Sequence, residues 1–243
     1  MPVVTFNGPI GAGGNEIGLK VAGILNADYV DRLILSEAAK RIGSSVEVLH
    51  MKEQRTVQMR DRISYFLQTM LERSAMSGAA GEPYFSAGME YLPSEEYSEL
   101  VQEPQTAAQK LNDERVLEVT SAVIKDLAKS DNVVIIGRAS NIILKDTPGA
   151  LHVGLVTPPD LRIRTIMERE NLSEKEAERY VTETEKARVM YYKKFFKVDP
   201  ITPHLYHLIL NTEKVDSDAA AEIVVTAARR MSEAATAGAA SPG

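Results

Sequence analysis

The chain contains no cysteine, and this absence excludes a disulfide framework, a thiol nucleophile and any zinc or iron–sulfur site held by cysteine. Histidine is also scarce: the four histidines, His50, His152, His204 and His207, are scattered, which argues against an all-histidine metal site. No apolar run reaches the roughly 18 residues of a membrane-spanning helix, and no signal-peptide pattern opens the chain. We therefore expect a soluble, cytoplasmic protein with no membrane partner.

Positive charge is in deficit, with 28 Lys and Arg residues against 34 Asp and Glu residues and a net charge of −6. This balance argues against a nucleic-acid partner, although it is compatible with a local basic site. The deficit is sharpest between Arg73 and Lys110, where neither Lys nor Arg occurs.

The length of 243 residues suits one large domain, or one domain with an insertion. Short apolar segments alternate with segments of helical periodicity, which predicts a parallel sheet flanked by helices in an α/β fold. The candidate strands lie at residues 3–6, 28–30, 132–136, 151–156 and 208–210. We predict a single domain over residues 1–233, with a helical insertion at about 45–111 and a helical lid at about 159–197. The Ala- and Gly-rich residues 234–243 are predicted to form a flexible tail.

A glycine-rich segment follows the first predicted strand and precedes the first predicted helix. Such a turn directs backbone N–H groups and the positive end of the helix dipole to one point, which suits a phosphate group. The candidate phosphate-binding residues are Gly8, Gly11, Ala12, Gly13, Gly14 and Asn15.

This segment departs from the general phosphate-binding loop G-x-x-x-x-G-K-[ST] at its end. Gly8 and Gly13 have the required spacing, but Gly14 stands in place of the lysine and Asn15 in place of the magnesium-binding hydroxyl. Lys20 is expected to point away from the phosphates and is a weak substitute. An ordinary glycine-rich turn is the alternative interpretation.

Further short motifs follow along residues 1–44 and 112–225. They are GAGGNEI at 11–17, DYVD at 28–31, VIIGRASN at 134–141, PGALHV at 148–153, an arginine-bearing segment at 162–192 and LNT at 210–212. In this order they resemble the cytidylate-kinase-like family, whose loop is G-S-G-G-x-E-I and whose later motifs are G-R-x-x-N and I-N-T. Residues 45–111 carry little of the resemblance.

The resemblance implies a P-loop nucleoside-monophosphate-kinase fold with an acceptor-binding insertion and an arginine-bearing lid. It also implies transfer of the terminal phosphoryl group of ATP or another nucleoside triphosphate, with Mg²⁺, to a small acceptor such as a nucleoside monophosphate. This branch of P-loop proteins tends to lack the lysine. True cytidylate kinases carry an aspartate after the Gly-Arg pair, whereas Ala139 stands there in this chain.

Phosphoryl transfer requires positioned cations, because negative charge spreads over the moving group in the transition state. Arg138 follows a buried strand at the sheet edge where α/β proteins bind ligands, and is the candidate contact to the acceptor phosphate. Arg162 and Arg188 are candidate lid cations, with a solvated charged face as the alternative. Asp31 is a candidate to orient an acceptor hydroxyl or to hold Mg²⁺ through water, with a helix N-cap as the alternative.

Three functional hypotheses stay open from the sequence. The first is a phosphotransferase of the kind described, and the second is a nucleotide-binding regulator that has lost catalysis together with the lysine. The third is a kinase of a non-nucleotide acceptor, which Ala139 and the unmatched insertion favour. The sequence identifies no metal ligands, and it leaves a homodimer open.

Overall fold

The computed structural model describes residues 2–31, 107–129 and 132–239. The strands are β1 (Val3–Asn7), β2 (Asp28–Val30), β3 (Val133–Ile136), β4 (Ala150–Val156) and β5 (Leu208–Asn211). The helices are α1 (Gly14–Leu25), α2 (Ala107–Lys129), α3 (Ser140–Ile143), α4 (Pro159–Glu170), α5 (Glu174–Phe196) and α6 (Ser217–Ala239), with a 3₁₀ turn at Pro203–Leu205. Of the predicted insertion, residues 45–106 lie outside the described residues, and 107–111 begin α2.

The five strands form one parallel sheet in the order β2-β3-β1-β4-β5. All five residues of β1 are buried, because this central strand is covered on both faces and carries a continuous apolar run. The parallel α/β sheet predicted from the strand–helix alternation is therefore confirmed. Parallel strands end at the same edge, so the segments that follow β1, β2, β3 and β4 converge there.

Each face of the sheet has its own core. On one face, α2 packs Val123 and Ile124 against Val3 and Ile135. On the other face, α1 and α6 cover Phe6 and the alternate residues of β4. This double cover makes the sheet a rigid support for the loops at its carboxyl edge.

The predicted lid consists of the two adjacent helices α4 and α5. The spacing of Ser173 and Glu176 in the sequence is that of a capping box and predicts a helix start there. In the structure α5 begins at this point, and the backbone N–H of Ser173 donates to a carboxylate oxygen of Glu176 at 3.0 Å. The side chain and backbone of Ser173 thereby lower the pKa of the Glu176 carboxyl. Farther along, α5 packs Tyr191 and Tyr192 against the β3–α3 turn.

The predicted flexible tail requires a correction, because residues 234–239 continue α6 instead of leaving it. Alanine is the strongest helix former, and Ala234, Ala235, Ala237 and Ala239 extend the helix by this propensity. Residues 240–243 lie outside the described residues.

His152 and His207 contribute to packing and hydrogen bonding. The rings of His152 and His207 stack with their centroids 4.9 Å apart, and Thr5 Oγ1 lies 2.9 Å from His152 Nδ1. Burial, and next the charge of His207, lower the pKa of His152 to about 4. In the described part of the chain, no group of three or more acidic or His side chains is arranged to hold a metal, and no helix is long and apolar enough to cross a membrane.

Candidate functional site

The glycine loop between β1 and α1 has a backbone that only glycine adopts readily. Gly11 and Gly13 have φ angles of 81° and 78°, in the left-handed region. Gly13 occupies the N-cap position of α1, and no side chain caps the helix there. The first amides of α1 are therefore available to an anion, and the helix dipole adds to its attraction.

Gly11 has a second reason to be glycine, which is its contact with the lid. A Cβ atom at Gly11 would lie 2.8 Å from the carbonyl oxygen of Arg162 and 3.0 Å from its Cα. No such atom fits without displacing the backbone of α4. The glycine loop and the first lid helix are thus in direct backbone contact.

A cavity of about 450 Å³ opens in front of this loop, and we call it the glycine-loop cavity. It is lined by the loop itself, including all six predicted phosphate-binding residues, by Asp31 and Gly137 from neighbouring strand ends, and by Arg169, Thr184 and Arg188 from the lid. Asp31 is 6% exposed, and its charge adds to burial in raising the pKa of Tyr29. The N-cap role proposed for Asp31 concerns a helix from residue 32, outside the described residues.

Lys20 does not replace the missing lysine, in agreement with the sequence. Its ammonium group lies 2.6 Å from Asp218 and 2.7 Å from the hydroxyl of Ser217, at the start of α6. The hydrogen bond to Asp218 is the main cause of a raised Lys20 pKa. Lys20 thus ties α1 to α6, away from the cavity.

Arg188 is the lid cation that reaches the glycine-loop cavity with the most defined geometry. It is 6% exposed and makes a two-pronged pair with Glu185, with Nε to Oε2 at 3.0 Å and Nη2 to Oε1 at 2.7 Å. Burial opposes the charge, but the hydrogen bonds and charge of Glu185 outweigh it and raise the Arg188 pKa. Arg169 also lines this cavity, paired with Glu170 at 2.7 Å.

Arg162, the other predicted lid cation, lines a different cavity of about 260 Å³ beside the edge strand β5, which we call the edge cavity. Arg188 lines both cavities. Burial and the nearby Arg188 lower the Arg162 pKa, and Glu185 opposes them. The two arginines that the sequence grouped together therefore meet at the edge cavity, but only Arg188 also lines the glycine-loop cavity.

A glycine loop after the central strand of a parallel sheet is typical of a P-loop-like α/β fold. The sequence profile of the cytidylate kinase-like family matches residues 3–214. The chain belongs to the cytidylate kinase-like family.

The individual relatives have low sequence identity to this chain. The cytidylate kinase of Methanoregula boonei is 28% identical over 151 residues, which are 61% of this chain and 78% of that protein. The cytidylate kinase of Methanopyrus kandleri is 28% identical over 102 residues, 39% of this chain and 53% of that protein. The crystal structure of an uncharacterized protein from Eubacterium ventriosum has a TM-score of 0.59 at 16% identity and covers 94% of this chain and 98% of its own; it shows a shared fold.

The family's Gly-Arg-x-x-Asn motif forms the turn from β3 into α3. Gly137, Arg138 and Ala139 have φ angles of 78°, 54° and 54°, so three consecutive residues are left-handed. Arg138 is 5% exposed and is absent from the residues that line the glycine-loop cavity, although its neighbour Gly137 is among them. Ala139 is fully buried among Ala187, Tyr191 and Tyr192.

The last residue of this motif, Asn141, belongs to a buried network that connects the family's separate motifs. The hydroxyl of Tyr192 lies 2.9 Å from Asn7 Oδ1 and 3.2 Å from Asn141 Oδ1. Asn7 ends β1 and lines both cavities, while Asn141 also donates to the carbonyl of Leu205 at 3.3 Å. One lid tyrosine thereby joins the glycine loop to the Gly-Arg turn.

The sequence analysis did not single out Asn7, Thr184, Glu185 or Tyr192 as site residues. Thr184 lines the glycine-loop cavity and is 3% exposed, and its hydroxyl has no hydrogen-bond partner among the described residues. A signal was available, because Thr184 precedes Arg188 by four residues and therefore shares its helix face. The pairing of Tyr192 with Asn7, 185 residues away, leaves no such local signal.

Proposed function

We propose that this protein is a phosphotransferase that moves the terminal phosphoryl group of ATP or another nucleoside triphosphate to a small acceptor. The observation that carries the proposal is the glycine-loop cavity, in which uncapped amides at the start of α1 face buried side chains of the lid. Amides, a helix dipole and a guanidinium stabilise the charge that spreads over a transferring phosphoryl group.

The donor triphosphate lies along residues 11–15 in this proposal, with the amides replacing the missing lysine as anion ligands. Asp31 and Asn15 fit a Mg²⁺ ion, because one or two oxygen ligands suffice when the phosphates and waters supply the others. The ion would neutralise charge on the phosphate oxygens. Arg188 closes the cavity from the lid, and Thr184 offers its hydroxyl beside it.

The acceptor we propose is a nucleoside monophosphate, with cytidine monophosphate as the first to test because both curated relatives carry the name cytidylate kinase. The acceptor enters from the side of Asp31 and Gly137, which follow β2 and β3. Arg138 is proposed to meet its phosphate, which requires the buried guanidinium to turn toward the cavity when ligand binds.

The test is to incubate the protein with ATP and Mg²⁺ against a panel of nucleoside monophosphates and small alcohols, and to measure ADP formation. Arg188→Ala should lower the rate about 100- to 1,000-fold with the best acceptor, because a charge contact to the transition state is lost. Arg164→Ala is the matched control. Arg164 lies on the lid helix α4, is 66% exposed, pairs with Asp160, and lines neither cavity, so its removal should leave the rate unchanged.

The regulator hypothesis has one observation in its favour, since no lysine of α1 faces the cavity and Lys20 is held by Asp218. The two hypotheses predict different results. Saturable ATP binding in calorimetry without ADP formation from any acceptor would support a nucleotide-binding protein and contradict a phosphotransferase. Turnover with an alcohol but with no monophosphate would instead indicate a kinase of a non-nucleotide acceptor.

A further inference from the structure

The edge cavity has polar groups at one end and apolar groups around its mouth. Its inner end contains Arg162, Arg188 and Glu185, where the two lid helices approach the end of β4. The mouth contains Val156, Ile201 and Ile209, which are 43%, 69% and 40% exposed. Three of the seven exposed large hydrophobic residues in the described ranges therefore line this one cavity. Exposed apolar side chains around a concave surface are typical of a ligand site.

One wall of the cavity is a fixed aromatic ring. Tyr206 packs directly on Gly154, where a Cβ would lie 3.0 Å from the ring. Its hydroxyl donates to the carbonyl of Pro200 at 2.7 Å, which holds the ring at both ends. A flat apolar group in the cavity would find this wall already in place.

The buried guanidinium of Arg162 has N–H groups that can donate further hydrogen bonds. It is 9% exposed, and its Nε and Nη1 make no hydrogen bond within the described ranges. Glu185 does not satisfy them, because both of its oxygens bind Arg188 at 3.0 and 2.7 Å while its Oε2 is 4.0 Å from Arg162 Nη1. A buried charged group without its hydrogen bonds is costly, so this position favours the binding of a hydrogen-bond acceptor.

The charges of the cluster indicate what kind of acceptor fits. Two guanidinium groups face one carboxylate, which leaves one positive charge in a largely buried space. A carboxylate ligand carries one negative charge at neutral pH and balances this cluster, whereas a phosphate monoester carries about −1.5 to −2. The small volume of about 260 Å³ restricts the ligand to a compact molecule.

We propose that the edge cavity binds a small carboxylate with a flat apolar body, whose carboxylate accepts hydrogen bonds from Arg162 and whose body lies between Tyr206 and the apolar mouth. The site shares Gly8 and Pro9 with the glycine loop but requires no phosphoryl transfer. Because Arg188 and Asn7 line both cavities, an occupant of the edge cavity touches the wall of the nucleotide site that we propose.

The test uses three probes with one aromatic body and different head groups: benzoate, benzamide and phenyl phosphate. Their affinities are measured by calorimetry on the full chain at neutral pH without nucleotide, so the result does not depend on any catalysis. Benzoate should bind about tenfold or more tightly than neutral benzamide, and more tightly than phenyl phosphate. Equal affinity for benzoate and benzamide would overturn the proposal, as would tighter binding of phenyl phosphate that Ile209→Trp abolishes, since that loss would place the phosphate in the edge cavity.

Two variants locate the bound probe. Arg162→Met keeps an apolar stem but removes the donors and the charge, and it should weaken benzoate about tenfold or more. Arg164→Met, on the exposed face of the same helix, should not change the affinity. Ile209→Trp fills the mouth from an exposed strand position and should also weaken benzoate, which keeps the test decisive if Arg162→Met fails to fold. Undiminished benzoate binding in folded Ile209→Trp would contradict the site.

Discussion

Two turns at the carboxyl edge of the sheet, one after β1 and one after β3, both bend the chain through left-handed backbone. In the β1–α1 turn the positive φ angles fall on Gly11 and Gly13. In the β3–α3 turn they fall on Gly137 and then on Arg138 and Ala139, whose side chains are buried. Left-handed conformations cost non-glycine residues of order 1 kcal/mol or more each, so the second turn is held by its surroundings.

The difference between the turns follows from what each one faces. The glycine loop presents its backbone to a cavity and to the backbone of α4, and side chains at Gly11 would prevent that approach. The Gly-Arg turn lies beside the aromatic residues of α5, against which the side chain of Ala139 packs. The β1–α1 turn therefore requires glycine because it borders a cavity and another backbone, whereas the β3–α3 turn packs against neighbouring side chains.

The largest expected change in stability is at Gly11, in the β1–α1 turn. Gly11→Ala should lower the free energy of unfolding by about 3 kcal/mol, because the new Cβ overlaps the Arg162 backbone and φ is 81°. Denaturant unfolding measures the change. Gly23→Ala is the matched control, since nothing lies within 4 Å of its Cβ in α1, and it should stabilise the protein by up to about 1 kcal/mol. A harmless Gly11→Ala would show that the loop and the lid are not in contact.

The second prediction concerns Ala139 in the β3–α3 turn, the position where true cytidylate kinases carry aspartate. Ala139→Asp should cost about 2–3 kcal/mol of stability, because a carboxylate would be buried among Ala187, Tyr191 and Tyr192. Ala139→Gly should change stability by less than about 1 kcal/mol, since relief at φ 54° offsets the lost methyl group. Thermal and denaturant unfolding distinguish the two variants, and an unchanged stability for Ala139→Asp would place this side chain outside the aromatic cluster.

The smallest expected effect is at the tyrosine that joins the two turns. Tyr192→Phe removes the only hydroxyl that reaches both Asn7 and Asn141 in the described ranges, and it should cost about 1–2 kcal/mol. Tyr206→Phe, which removes a half-buried hydroxyl that donates to the carbonyl of Pro200, should cost less in the same unfolding experiment. Equal losses in both variants would mean that the connection between the turns adds nothing.

Much of this architecture could be predicted from local sequence. Continuous apolar runs identified the buried strands, and the glycine spacing at residues 8–14 identified the loop. The spacing of Ser173 and Glu176 located the start of α5, which the structure confirms. The prediction of a tail was wrong for residues 234–239, because alanine-rich sequence is compatible both with a loop and with the end of a helix, and here it continues α6.

Only the tertiary structure determines which cavity each lid arginine lines. Sequence spacing placed Arg162 and Arg188 on lid helices, but the packing of α4 and α5 on the sheet directs Arg188 toward both cavities and Arg162 toward the edge cavity. The same holds for the Tyr192 network, whose partners come from β1 and α3. Periodicity and motif spacing record which face of an element is buried, because that is a local property. Which polar groups meet depends on contacts between residues far apart in the chain, and those exist only after the helices and strands have packed.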